Sequence, residues 1–508
     1  MRNKSRVFKL TRQMTVVSLV LIFSISLLSA CSKASPKDNQ NSVIRIGMLY
    51  GDGVDNHPHF RQQYTDAYEL LNNGKVTFEI VSALNDPNQR FDYLDPNKQN
   101  ERLDLYEQMK QLVTGENPVD VVVMDYEMLP KMYQDNLLQS LDPLIQRDKF
   151  DTSAIVPAVI EGIKAVGDNS LYALTPTFSS SALFYNKKFF SDLQIEPPTD
   201  NMTWEEVFNL ARRITKVDSE DPRFGFAFDM WANGDSARNM SEYVSALQLA
   251  YFDETADNML VNSDRWVNAW ELIVNMNKEN VFPTREYTDQ LFNSEQNNEN
   301  TNPFLGDLFL SGKLGMVIGQ YYYVNELRLA ADNASRVDGF EMIDWDVVTL
   351  PTDAANPGAS SGVYLQQLMG INAKAQNPDG AWDFIKFING EDWAKIKSRS
   401  IHDLVARKDY IKPVGEMQYN IDAFLNIRPL TPRSENIDQL YETKPGIWEA
   451  RNFGYELFER VAKDEMTVRE ALAEWETKGN QALQATAEEI EVPDMTTKEA
   501  LKEAAGIE

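Results

Sequence analysis

The chain has 508 residues, a formal charge of −28, three histidines and one cysteine. Such an acidic chain is a poor partner for nucleic acid, which needs clustered Lys and Arg, and charge will not hold it on anionic lipid. One thiol excludes an intrachain disulfide, so packing must supply the stability, and the length predicts two domains or more.

The chain opens on a basic stretch, Arg2, Lys4, Arg6, Lys9 and Arg12, with no acid through residue 30. Met14 to Leu28 is apolar apart from Ser18, Ser24 and Ser26. That run is short for a membrane span of about 20 residues and fits the apolar region of a secretory signal. It ends Leu28-Ser29-Ala30-Cys31, and Cys31 is the lone cysteine. Small residues before that cysteine resemble the lipobox of bacterial lipoproteins, which implies cleavage before Cys31 and its lipidation. Stable anchoring then follows from two or more acyl chains. An ordinary signal peptide with a chance Cys, or an uncleaved anchor, are the alternatives. Residues 31–42 read as the lipidated Cys and a polar tether.

Short apolar strands alternate with helical stretches beyond the tether. Val43 to Leu49, Val76 to Ala83 and Val119 to Met124 read as strands, with helices at Phe60 to Leu71 and Glu101 to Val113 between them. Further strands are expected at 171–175, 182–186, 224–228, 314–318, 347–350 and 368–371. This alternation predicts an α/β fold with sheets covered on both faces. Thr203-x-x-Glu206 and Thr467-x-x-Glu470 fit capping boxes. The first opens a helix whose Trp204, Val207, Leu210, Ala211 and Ile214 share one face. Residues 379–389 read as a helix stopped at Gly390, and 468–490 as a late helix that frays beyond Pro493. The Asn-rich run 296–302 reads as a surface loop.

Catalytic and metal motifs are sparse. Gly358-Ala359-Ser360-Ser361-Gly362 matches a nucleophile elbow, with His402 downstream in the right order. The elbow needs a buried strand before it and a helix after it, and neither is expected here. His57-x-His59 has no third ligand nearby, and Asp218-Ser219-Glu220-Asp221 lacks the spacing and Gly of a calcium loop. No phosphate or dinucleotide loop occurs, so neither a metal nor a cofactor is expected. A pair of catalytic carboxylates remains open among 77 acids.

Several segments resemble family 1 extracellular solute-binding proteins of ABC importers. They are Leu171 to Pro176 followed by Ala182 to Lys187, Trp204-Glu205-Glu206, Gly312 to Ile318, Trp345 to Pro351, Gly370 to Ala373, Ala381 to Phe387 and Thr467 to Leu472. They occur in family order from about residue 43 to 475. Length and Glu391-Asp392-Trp393 resemble a longer subgroup of Gram-positive bacteria. The resemblance implies a two-lobed fold of the periplasmic-binding-protein type (class II) with a hinge. Residues 43–180 and 350–400 would form lobe one, and residues 181–345 and 401–508 lobe two. It implies an extracytoplasmic, lipid-anchored receptor that is not an enzyme. The receptor would capture a carbohydrate, expected to be an oligosaccharide, in an interlobe cleft and deliver it to ABC transporter permease subunits. A sensor subunit for a membrane kinase and a secreted glycoside-active enzyme are the alternatives.

A sugar site wants flat aromatics for C–H faces and carboxylates or amides for hydroxyls, set on loops at strand ends. By the resemblance, Asp52 follows the first strand in a ligand loop, unless Tyr50-Gly51-Asp52 is only a turn. Asp125, Tyr126 and Glu127 follow the third strand, with helix capping as the other role for Asp125. Ser179 sits at the crossover, with a hinge-only role as its alternative. Asp229 and Trp231 follow strand 224–228, and Trp231 matches an aromatic platform unless it is a core residue. Tyr322 stands where the family has a stacking tryptophan. Three successive tyrosines, 321–323, cannot all point inward. Tyr364 and Arg451 complete the set. Trp266, Trp270, Trp382 and Trp475 read as core.

Overall fold

A computed structural model describes residues 42–51, 56–84, 104–217, 221–231, 234–296, 303–304, 306–400, 403–432, 440 and 443–485. Cys31, the leader and tether through residue 41, Asp52, residues 218–220, residues 297–302, His402 and the chain beyond 485 lie outside them.

Thirteen strands are described: β1 Ser42–Tyr50, β2 Val76–Leu84, β3 Val121–Met124, β4 Ala173–Leu174, β5 Thr177–Asn186, β6 Phe224–Ala227, β7 Leu314–Gln320, β8 Trp345–Val348, β9 Ala359–Ser360, β10 Val363–Tyr364, β11 Leu368–Ile371, β12 Leu404–Val405 and β13 Arg428–Pro429. The first sheet has the order β2-β1-β3-β11-β4 and the second β10-β5-β7-β6, with β8 and β12 also paired to β5. β1 runs parallel to β2 and β3, and β11 runs antiparallel to β3. All four residues of β3 are buried, as its unbroken Val-Val-Val-Met run requires of a strand covered on both faces.

β5 links the two sheets. Thr177 and Phe178 pair with β12, Ser179 and Ser180 with β10, and residues 181–186 lie between β7 and β8. Just before it, the Thr175 hydroxyl lies 2.6 Å from the Thr177 carbonyl and 2.7 Å from the Gln366 carbonyl. Two crossing segments are thereby tied at one point.

Side chains alternate across β5 with a period of two. Ala182 and Phe184 join a hydrophobic cluster continuous with the first sheet, while Leu183 and Tyr185 join a second cluster. Phe184 meets Tyr323, Trp345 and Phe424 on one face. The opposite face is covered by helices Trp204–Ile214, Ser236–Ala246, Asp264–Lys278, Ile447–Ala462 and Val468–Gln484. Both capping boxes are present, at Thr203 with Glu206 and at Thr467 with Glu470. Trp266, Trp270, Trp382 and Trp475 are all fully buried.

Several boundaries differ from the sequence reading. The expected strand 171–175 is only the pair Ala173–Leu174, because Pro176 interrupts it. The strand expected at 182–186 begins five residues earlier, since Ser179 to Ser181 are polar yet paired. The first helix begins at Pro58 and contains a π-type turn over Arg61–Thr65, which periodicity does not signal. The segment around Gly358-Ala359-Ser360-Ser361-Gly362 joins two short strands, with no helix behind it. Among the described residues no helix is long and apolar enough to cross a membrane.

Candidate binding cleft

Strand direction gathers the candidate residues. The register Gly47↔Val122 brings the carboxyl ends of parallel β1 and β3 to one edge, so Tyr50 and Asp125 emerge together. Parallel β6 and β7, in register Ala227↔Val317, send Asp229–Trp231 and Tyr321–Tyr323 out of one edge of the second sheet. Carboxyl ends of parallel strands are where α/β sheets bind ligands.

A cleft of about 920 Å³ lies at the first of these edges. Tyr50, Asp125, Tyr126 and Glu127 line it from the first sheet, and Tyr364 to Gln367 from the end of β10 and the segment between β10 and β11. Ser241, Ser245, Gln248 and Tyr251 face them from the helical layer of the second sheet, together with Arg451. Five sequence candidates, Asp125, Tyr126, Glu127, Tyr364 and Arg451, therefore share one cavity. Its volume suits an extended polar solute.

Their chemistry differs. Tyr126 is buried and its hydroxyl donates to the Gly162 carbonyl at 2.6 Å, so it presents ring rather than hydroxyl to the cleft. Among the described residues, no donor is seen at the Asp125 carboxylate. The enclosing walls nevertheless push its pKa up from the usual carboxylate range. Tyr364 is 46% exposed, and burial against the wall, then Glu242 and Glu127, push its hydroxyl up. The Arg451 guanidinium lies 4.7 Å from the Tyr251 ring centre, a cation–π contact that positions it on the cleft wall. These shifts hold the Tyr364 phenol neutral and make the ionised Asp125 carboxylate a stronger acceptor. The walls thus offer hydroxyl-binding oxygens beside flat rings.

The other candidates lie elsewhere. Ser179 donates to the Asp403 carboxylate at 3.1 Å, at the crossover. Asp229 pairs with Arg238 at 2.8 Å and accepts the Trp231 backbone N–H, so it braces its own turn. Trp231 is 65% exposed and is not a core residue. The Asp229 partner Arg238 lies on helix Ser236–Ala246, which also supplies Ser241 and Ser245 to the cleft wall. Tyr321 and Tyr323 are buried, while Tyr322 is partly exposed outside the cleft lining.

The sequence reading missed Ser241, Ser245, Gln248 and Tyr251. Ser241, Ser245 and Gln248 recur at helical spacing and form a polar stripe that could have been recognised. Tyr251 gave no signal, because its role depends on Arg451, 200 residues later.

The sequence profile described as "Bacterial extracellular solute-binding protein" matches residues 104–395. A binding protein of Brucella abortus (strain 2308) is 21% identical over 422 residues, covering 80% of this chain and 83% of its own length. An extracellular solute-binding protein, family 1, from Alicyclobacillus acidocaldarius superposes with a TM-score of 0.56 at 14% identity, covering 89% of this chain and 100% of its own. A Rhizobium etli sugar transporter in an open conformation gives 0.53 at 16%, with 87% and 99% covered. The sugar-binding protein MalE of Xanthomonas citri gives 0.53 at 14%, with 87% and 97% covered. These likenesses establish a two-lobed α/β fold.

Proposed function

The chain belongs to the bacterial extracellular solute-binding proteins, and from that premise we propose that it captures a carbohydrate, an oligosaccharide in preference, and delivers it to the permease subunits of an ABC transporter. The observation that carries this reading is the cleft itself, where Asp125 and Glu127 stand beside Tyr50, Tyr251 and Tyr364. Carboxylates suit hydroxyls and rings suit C–H faces. The chain binds without turnover. Lobe one comprises residues 43–180 and 350–400, lobe two residues 181–345 and 401–508, and they close about the crossings near Thr175. The sugar-binding names of structurally similar proteins support the ligand class.

Thermal melting of the chain from Ser32 onward, against mono- and oligosaccharides, tests the reading. A ligand that binds only the folded state raises the melting temperature. A selective rise with one sugar class, and recovery of that sugar intact, is the expected result. Breakdown products would mark an enzyme instead, and no shift with any sugar would refute the ligand class.

Trp231 serves as a platform that meets the ligand on closure. Its exposure means that Trp231→Ala should leave the unliganded melting temperature nearly unchanged. Affinity should fall by roughly 1–3 kcal/mol, as for one buried aromatic contact. Equal affinity in titration calorimetry would remove Trp231 from the site.

Lipidation of Cys31 holds the protein on the extracytoplasmic face of the cell membrane. Its sequence setting supports this, and an acidic chain needs such an anchor. Cys31→Ser should release the protein from the membrane fraction. Retention of the variant in full would rule out the lipid anchor.

A further inference from the structure

The cleft has a side pocket of about 310 Å³, and this pocket differs from it in chemistry. The two share Leu49, Tyr50, Asp125, Met128, Gln366 and Gln367, so they form one continuous trough with Asp125 at the junction. The remaining polar wall of the side pocket comes from His59, Gln63, Tyr64, Thr177 and Asp403. Among the described residues no Lys or Arg lines it, whereas the main cleft carries Lys131 and Arg451.

The wall is built before any ligand arrives. Tyr64 stacks on Trp393, with ring centres 6.1 Å apart and planes 7° apart, and packs against Phe60 at 4.9 Å. Burial, then Asp403, push the Tyr64 hydroxyl up to about 12, so it stays protonated. His59 and Gln63 are within 3.0 Å of each other on the same helical turn. Ser179 donates to one carboxylate oxygen of Asp403. The helix, the ends of β1 and β3, the start of β5 and the segment before β11 frame the pocket. It therefore requires nothing from helices Ser236–Ala246 or Ile447–Ala462, which wall the main cleft.

We propose that this side pocket is a terminal subsite, which takes the end unit of an oligosaccharide while the lobes are open and accepts neutral or amine-bearing units but not uronic acids. The proposal rests on the carbohydrate reading of the main cleft and adds ligand polarity and direction to it. Asp125 and Asp403 accept hydroxyl or ammonium protons, and the amides of Gln63 and Gln366 can both donate and accept. A uronate end would place a third carboxylate beside two others with no Lys or Arg among the described wall residues, a repulsive arrangement that favours rejection. The same arrangement gives Ser179 a purpose without ligand contact: it holds Asp403 toward the pocket.

The test uses calorimetric titration of the full mature chain with linear xylo-, manno- and malto-oligosaccharides of two to six units. The same chains ending in an amino sugar or a uronic acid are titrated alongside. Gln63→Trp fills the side pocket from a partly exposed helix position. It should weaken the longest bound member about tenfold or more and leave the shortest bound member unchanged. Asp403→Asn, which preserves shape, should narrow the discrimination against uronate ends by about tenfold. Unchanged unliganded melting temperatures establish that both variants fold, and the second variant alone suffices if the first does not. Equal loss for short and long ligands, or uronate-ended chains bound as well as neutral ones, overturns the terminal subsite while the carbohydrate reading stands. No binding of any carbohydrate by the unaltered chain overturns both.

Discussion

Trp475→Ala is expected to cost about 3–5 kcal/mol of stability, as large-to-small changes at buried Trp do. Trp475 is 1% exposed and lies at a junction of three aromatic rings. Its ring centre is 5.3 Å from Trp266, 5.5 Å from Trp270 and 5.9 Å from Tyr251. Its Nε1–H donates to the Ala450 carbonyl at 2.7 Å. The ring also lies directly on the backbone of helix Ile447–Ala462, where a Cβ at Gly454 would come within 2.5 Å of it. No side chain can therefore move in to refill the space from that position.

The loss should reach the ligand site as well. Tyr251 touches Trp475 on one side and carries the Arg451 guanidinium on the other. Removing the indole loosens the wall that holds Arg451 over the cleft. Guanidinium unfolding of the unliganded chain and titration with the best sugar from the panel should both shift. A lower midpoint with unaltered affinity would show that the wall is held by other contacts. An unaltered midpoint would contradict the packing argument itself.

Asp125→Asn should lower sugar affinity by roughly 10- to 100-fold, the range of one charge-assisted hydrogen bond. The same change should raise the melting temperature of the unliganded chain at neutral pH only slightly, because the exposed carboxylate is screened by solvent. Asp125 is exposed on the cleft wall, yet partial desolvation by its neighbours raises its pKa, so the folded state binds this proton somewhat more readily than the unfolded state does. The charged group therefore opposes folding at neutral pH, and the penalty is relieved as pH falls through the raised pKa. Asparagine carries no charge and removes the penalty at every pH. Ligand affinity of the unaltered chain runs the other way. Protonation removes an acceptor, so affinity should fall as pH drops through the same raised pKa. Melting curves and titrations from neutral to acidic pH measure both trends. A variant that loses stability, or keeps full affinity, would assign Asp125 to helix support instead.

Legibility in the sequence varied with the range of the interaction. The Val121–Met124 run, the two Thr-x-x-Glu boxes and the four core tryptophans were readable because each depends on its own neighbours. The position of Asp125 and Glu127 at the cleft edge was readable because a buried strand ends just before them. Trp231 illustrates the limit. Its place after β6 was correctly read, but whether its ring enters the core or solvent depended on packing by helices far along the chain. Tyr126 likewise turns its hydroxyl to Gly162, a partner 36 residues away.

The order of apolar strands and the helix caps was determined by the sequence alone, because hydrophobic period and capping act over a few residues. Only the tertiary structure decided which loops meet. Strand register set Tyr50 beside Asp125, and helix packing brought Tyr251 to Arg451. Parallel pairing sets Ile46 beside Val121, and the antiparallel return sets Val121 beside Ile371; no local pattern encodes where such distant segments touch. The cleft and its side pocket are products of that long-range closure.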